Sequence, residues 1–471
     1  MKIASITLYL FTVLILATNS CKKSPSSMHP EDDSGASYVI LQEGNYLPQS
    51  QLVAKPSGEL EDNHIGAIVS QFTYGGYFEI IVEEGFKRLE FTYQEVETPV
   101  DYSQDEFFIP PLFDTNFNNL VVQNGITSAY ILNFWDKANH PQRWQGISSR
   151  FTTEEEILRY LDYVRFIVRH FKDRIQYYKI WNEPDGGGDP AQYVMPAEMI
   201  NLIRRTVPVI HEEYPQAKVV VGTNVVFFSQ DYLFELLNSD IMPLVDVIDW
   251  QSMGDEVWSG EWDLWRAFYS NYPSFVQQIK QTASAHGFSG EYWASELWWW
   301  FPGHPSISTL LYPESAIMEV KNRTRGFVNQ LGLDITIRAT GSGFEPIIVS
   351  PALTSFFTVM AGAVADSLTA GIEGAAADIA DIKQYGFTFQ NDEQGVILWQ
   401  DVEPQPLANI PGVPVTVTLS GFAGRQAIGI DVLHHFWQQL VTNDVGEDLV
   451  IQGLLVKDYP IIIQISSASS Q

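Results

Sequence analysis

Along most of the chain, short runs of branched and aromatic residues alternate with longer stretches whose apolar positions return every three or four residues. The best specified of these stretches starts at Thr153, with Glu156 three positions on. In that pairing a threonine hydroxyl and a glutamate carboxylate satisfy each other's free amides at a helix start. Ile157, Leu161, Val164, Val168 and Phe171 then mark one helical face. The helix leads straight into residues 177–181, which are aromatic or β-branched apart from Lys179 and read as a strand packed on both faces. Pro184 and the glycines at 186–188 end that strand, so Glu183 falls where strand becomes loop. A strand-helix-strand order of this kind belongs to α/β architectures.

The same alternation extends in both directions. Strands are predicted at residues 64–70, 85–91, 125–133, 217–223, 245–251, 291–296 and 334–338, with Gly66 relieving crowding in the first of them. Helices are predicted at 193–214, 231–237, 264–285, 313–331 and 352–370. Residues 38–63 precede the first strand and are free to lend a strand elsewhere. From Tyr385 the pattern shortens to alternating runs at 386–390, 395–399, 415–419, 427–431 and 460–465 with turn-rich gaps, the signature of a β-sandwich. The chain therefore divides into a β/α domain at 38–384 and a β-sandwich at 385–471.

Composition narrows the setting. With 471 residues and 45% hydrophobic content the chain can bury a large core. A formal charge of −30 argues against nucleic acid or an anionic membrane surface as partner and is compatible with neutral sugars. Cys21 is the sole cysteine, so no internal disulfide forms. It follows Lys2, a largely apolar run at 3–17 and Thr18-Asn19-Ser20, the layout of a secretory signal over residues 1–21. The segment resembles a bacterial lipoprotein signal whose cysteine is lipidated, although Thr18 and Asn19 depart from the usual residues; a plain signal peptide is the alternative. Residues 22–37, rich in serine, proline and charge, read as a flexible tether.

The candidate chemistry centres on Trp181-Asn182-Glu183-Pro184 and on the glutamate that closes Glu291-Tyr292-Trp293-Ala294-Ser295-Glu296. These two motifs, in this order, resemble the fourth and seventh strands of clan A glycoside hydrolases, and the C-terminal module resembles the small sandwich of family 39-like members. The resemblance implies a (β/α)8 TIM barrel, a retaining mechanism, Glu183 as acid/base, Glu296 as nucleophile and Asn182 on the sugar 2-hydroxyl. It also carries Arg88 onto the clan's second-strand arginine, which holds the nucleophile; an ion pair with Glu90 is the plain alternative. Where relatives end the sixth strand in His-x-Tyr, this chain has Gln251 and Met253, and only Gln251 can donate a hydrogen bond.

Tryptophan is dense between Trp250 and Trp300. Three consecutive rings, Trp298, Trp299 and Trp300, cannot all point inward from one strand, so a sugar-stacking platform is expected there and at Trp135; a packing patch for the sandwich is the competing account. The glycines at 186–188 lack the following Lys-Ser/Thr of a nucleotide loop, and adjacent His434 and His435 would face opposite ways, so neither a cofactor nor a metal is expected. Two further readings stay open: a non-catalytic glycan-binding lipoprotein and a transglycosylase.

Overall fold

The computed structural model describes residues 39–69, 76–91, 109, 111–133, 151–186, 193–252, 262–296, 313–338 and 351–466. After a short strand β1 (Gln49–Gln51), eight parallel strands follow: β2 (Gly66–Val69), β3 (Arg88–Phe91), β4 (Thr127–Leu132), β5 (Tyr177–Ile180), β6 (Lys218–Val225), β7 (Val247–Gln251), β8 (Glu291–Glu296) and β9 (Thr336–Ile337). They lie side by side in chain order, and a parallel bridge between Ile65 and Ile337 joins the last strand to the entrance of the first. The result is a TIM barrel. Gly66 sits at the closing seam, where an added Cβ would lie 2.3 Å from the Arg338 carbonyl oxygen, so only glycine lets the strands approach there.

The outer layer comprises α1 (Gly76–Glu83), α2 (Pro111–Asn116), α3 (Glu154–Phe171), α4 (Pro196–Glu213), α5 (Val226–Leu237), α6 (Trp262–Ala285), α7 (Pro313–Gly332) and α8 (Pro351–Val359). Helix α3 is capped as its sequence dictates: the Thr153 hydroxyl accepts the Glu156 amide at 3.2 Å, and Glu156 Oε2 accepts the Thr152 amide at 3.2 Å. The predicted stripe from Ile157 to Phe171 is buried, as are the outward faces of the strands it covers, among them Tyr130, Tyr178 and Ile180.

Beyond α8 the chain turns antiparallel. Strands β10 (Val364–Asp366), β11 (Gly371–Glu373), β12 (Ile382–Thr388), β13 (Gln394–Gln400), β14 (Val413–Leu419), β15 (Ala427–Asp431), β16 (Phe436–Gln439), β17 (Asn443–Val445), β18 (Asp448–Val456) and β19 (Ile461–Ile465) form two sheets, ordered β1-β16-β15-β19-β13-β12-β10 and β11-β14-β18-β17. The sandwich thus begins at Val364 and not at Tyr385. Strands β10 and β11 are three residues each, too short to display a period of two, and the helix predicted to reach residue 370 stops at Val359. Strand β1 supplies the far edge of the larger sheet by pairing Ser50 with Trp437.

Helix α7 ties barrel to sandwich. Fully buried Lys321 donates to the carbonyl oxygens of Gln405 and Leu407 and to Asp458, and Arg325 donates to the Gln400, Val402 and Asp458 carbonyls. The two adjacent histidines are both engaged within the fold, His434 with Asp431 and Asn409 and His435 with Ser355.

Candidate active site

Strand β5 ends in a backbone that breaks its own alternation. Tyr177 and Lys179 face the lumen, so a regular strand would send Trp181 there too. Instead Trp181 takes a left-handed φ of 64°, and its ring lies edge-on to Phe151 at 5.0 Å and against Tyr160 of α3 at 6.1 Å. Glu183 is left-handed as well, at φ 46°. Two such non-glycine residues cost about 1–3 kcal/mol each and persist only where surroundings over-determine them.

Those surroundings are visible. Buried Asn133, just past β4, accepts the Asn182 amide at 3.2 Å, and Glu183 and Pro184 carbonyls accept the amides of Gly186 and Val194 at 2.9 and 2.7 Å. Ser229, at a kink inside α5, donates to the Asp185 carboxylate. Buried Gln251, the last residue of β7, donates from Nε2 to Glu183 Oε1 at 2.8 Å. Gln251 is paired in the sheet with Val225 on one side and Glu296 on the other, and the register slips on both sides at that level. Such bulges re-aim side chains at the rims of barrels. Glu183, Asn182, Gln251 and the backbone of Glu296 therefore share the carboxyl-end rim of three strands. The Glu296 side chain lies outside the described residues, as do Trp135, Met253, Trp298, Trp299, Trp300 and Cys21.

Arg88 is elsewhere. It opens β3, level with Gly66 and Thr127 at the starts of the flanking strands, and so occupies the amino end of the barrel. Its Nε meets Asp62 Oδ1 at 3.0 Å, Nη2 meets the other Asp62 oxygen, and His64 Nδ1 lies 3.3 Å away. Burial pushes the Asp62 carboxyl up, but Arg88 outweighs it and holds the group below its ordinary value. Neither the nucleophile-holding role nor the Glu90 pair fits this position: a residue at the beginning of a strand cannot serve chemistry at its end.

The strand interiors also hold charges that the pattern of residues did not single out. Lys179 Nζ lies 3.1 Å from Glu90 and 2.6 Å from Asp249, with all three side chains no more than 2% exposed. Arg338 is fully buried beside them, its guanidinium 4.2 Å from the Trp293 ring and donating to the Leu89 carbonyl at 3.0 Å. The signal was present in the chain. A lysine in a strand buried on both faces demands a buried carboxylate, and Glu90 and Asp249 stand mid-strand in two other runs.

Comparison with known proteins gives the architecture a context. No protein-family model and no curated protein matches the chain. Among solved structures, a family 39 glycoside hydrolase from the gut symbiont Bacteroides cellulosilyticus WH2 superposes with a TM-score of 0.57 at 13% identity, over 87% of this chain and 82% of that one. The chain has the fold of these hydrolases. A family 51 α-L-arabinofuranosidase from Bifidobacterium longum matches with a TM-score of 0.52 at 11% identity over 89% and 98% of the two chains. The catalytic domain of GH30 xylanase C from Talaromyces cellulolyticus gives 0.51 at 11% identity over 88% and 99%. These likenesses establish barrel plus sandwich.

Proposed function

We propose that this protein is a retaining glycoside hydrolase acting on a β-linked glycan, with Glu183 as general acid/base and Glu296 as nucleophile. The observation that carries the reading is the Gln251 bridge: its amide holds the Glu183 carboxylate at 2.8 Å while its backbone pairs with Glu296. Neighbouring strands are about 4.8 Å apart, so both glutamates belong to one sugar-sized gap. Two carboxyl groups about 5 Å apart favour a covalent glycosyl-enzyme and net retention of configuration.

In the first step Glu183 gives its proton to the leaving oxygen while Glu296 attacks the anomeric carbon. In the second, Glu183 takes a proton from the water that displaces Glu296. Gln251 donates from Nε2 to one Glu183 oxygen and so orients the carboxyl group for this shuttle. Asn182, fixed through its amide by Asn133, is assigned to the sugar 2-hydroxyl, a contact that strengthens as positive charge develops. Trp135 and Trp298 to Trp300 are assigned to sugar stacking, and Cys21 to a lipid anchor holding the protein at the cell envelope.

The test is turnover of a panel of β-linked glycans, followed by trapping with a fluoro-sugar glycoside and peptide mapping. The label is expected on Glu296, and Glu183→Ala is expected to lose activity that small anions such as azide restore. Saturable binding of the glycans without hydrolysis of any would replace this proposal with that of a glycan-binding protein.

A further inference from the structure

We infer that Lys179 is a positioning residue for this same site: by ion-pairing across the lumen to Asp249 on β7 and Glu90 on β3, it fixes the ends of β5 and β7 so that Gln251 meets Glu183. The inference rests on the glycosidase reading and extends it to residues that touch no substrate.

The geometry is that of a cross-tie. Asp249 lies two positions before Gln251 on β7, and Lys179 lies four positions before Glu183 on β5. With about 3.3 Å per strand residue, the Lys179–Asp249 contact sits one layer of side chains beneath the Gln251–Glu183 contact. Strands β5 and β7 are not neighbours, since β6 separates them. No backbone hydrogen bond sets their spacing directly, and the 2.6 Å contact between Lys179 and Asp249 spans that gap. Directly above it, both strands leave regular geometry: β7 has register slips at Gln251, and β5 turns left-handed at Trp181. A rim that is locally irregular needs its registration set from below.

Stability does not account for these charges. Lys179, Glu90 and Asp249 are no more than 2% exposed, and neither Glu90 Oε2 nor Asp249 Oδ1 meets a hydrogen-bond donor among the described residues. Burying ions with part of their hydrogen-bonding capacity unmet is often no better than an apolar filling of equal volume. The layer just below has such a filling: Ala129, Tyr177, Val220, Val247 and Trp293 pack together inside the barrel. The Lys179, Glu90 and Asp249 charges thus lie at the level beneath the rim, and Arg338, resting on Trp293, borders them from the β9 side.

The closing experiment uses leaving-group dependence, because a displaced acid/base slows only reactions that need protonation of the departing oxygen. The triple variant Glu90→Gln, Lys179→Met, Asp249→Asn keeps side-chain size close to that of the parent and removes the three charges together, while Arg338 keeps its bond to the Leu89 carbonyl. It is expected to fold with an undiminished melting temperature and to lose at least about ten-fold in kcat/KM on an unactivated β-linked disaccharide, within the range a general acid contributes. On a dinitrophenyl glycoside of the same sugar it is expected to stay within about two-fold of wild type. Asp249→Asn alone, which retains the Lys179–Glu90 pair, is expected to show the same selective loss and serves if the triple variant does not fold. Equal losses on both substrates, or none, would overturn the positioning role. Glu183→Ala measured on the same two substrates separates the possibilities: if it lacks the selective loss, the acid/base assignment itself is wrong. If it has that loss and Asp249→Asn does not, only the cross-tie fails. A wild-type protein that turns over neither substrate sinks both.

Discussion

Gln251 is the side chain at which the proposed chemistry can be tested through a single hydrogen bond. The amide is buried and donates to Glu183. A hydrogen bond to a charged partner contributes about 1.5–3 kcal/mol, so Gln251→Ala is expected to lower kcat/KM by roughly ten- to a hundred-fold. Circular dichroism should remain that of the parent, because β7 is held by its ladder and not by this side chain; steady-state kinetics on the best glycan reads the loss. At this scale the turn chemistry that follows Glu183 and Asn182 put them at the end of a strand, where the structure has them. Arg88 misled, since type and approximate position matched a family arginine while the strand's true start put it at the opposite end. The ion cluster at Lys179 was hidden for a different reason: its partners are far apart in the chain, and only the lumen brings them together.

Among the elements, the helices and barrel strands were legible wherever a period ran long enough to measure. Helix α3 and the strands around it lie where the apolar spacing puts them, with bounds moved by a few residues. Legibility failed at α1 and α2, where no helix is predicted, and at β10 and β11, whose three residues carry no period; the strand expected at 334–338 is present as Thr336 and Ile337. Helix α1 offers a test of a different force. Glu84, one residue past its end, is pushed up to about 7 by burial and by the neighbouring Glu83. Its folded-state value thus exceeds the unfolded one, so its penalty is absent at low pH and grows as pH rises through the range from 4.5 to about 7. The negative charge also faces the negative end of the helix dipole. Glu84→Gln is expected to stabilise the protein by about 1–2 kcal/mol at pH near 8 and by nothing measurable near pH 4, as read by urea denaturation at the two values.

For the molecule as a whole, the joint between barrel and sandwich decides how it unfolds. Lys321 is fully buried on a barrel helix and spends its hydrogen bonds on sandwich groups: two loop carbonyls and Asp458. Lys321→Met strands the buried Asp458 carboxylate and is expected to cost about 3–5 kcal/mol. Because the tie links both domains, calorimetry should show one transition moved to lower temperature; two separated transitions would mean that the domains melt independently. The acidic balance of the whole chain, −30, adds self-repulsion that salt should relieve.

Strand β1 is the first strand among the described residues and pairs with β16, nearly four hundred positions later. A ribosome has almost finished its work before residues 436–439 exist to receive it. Until then three residues must wait with their edge uncovered, so the segment around β1 is seated only late in synthesis. Anything that halts synthesis before the sandwich is complete leaves that segment open to proteolysis.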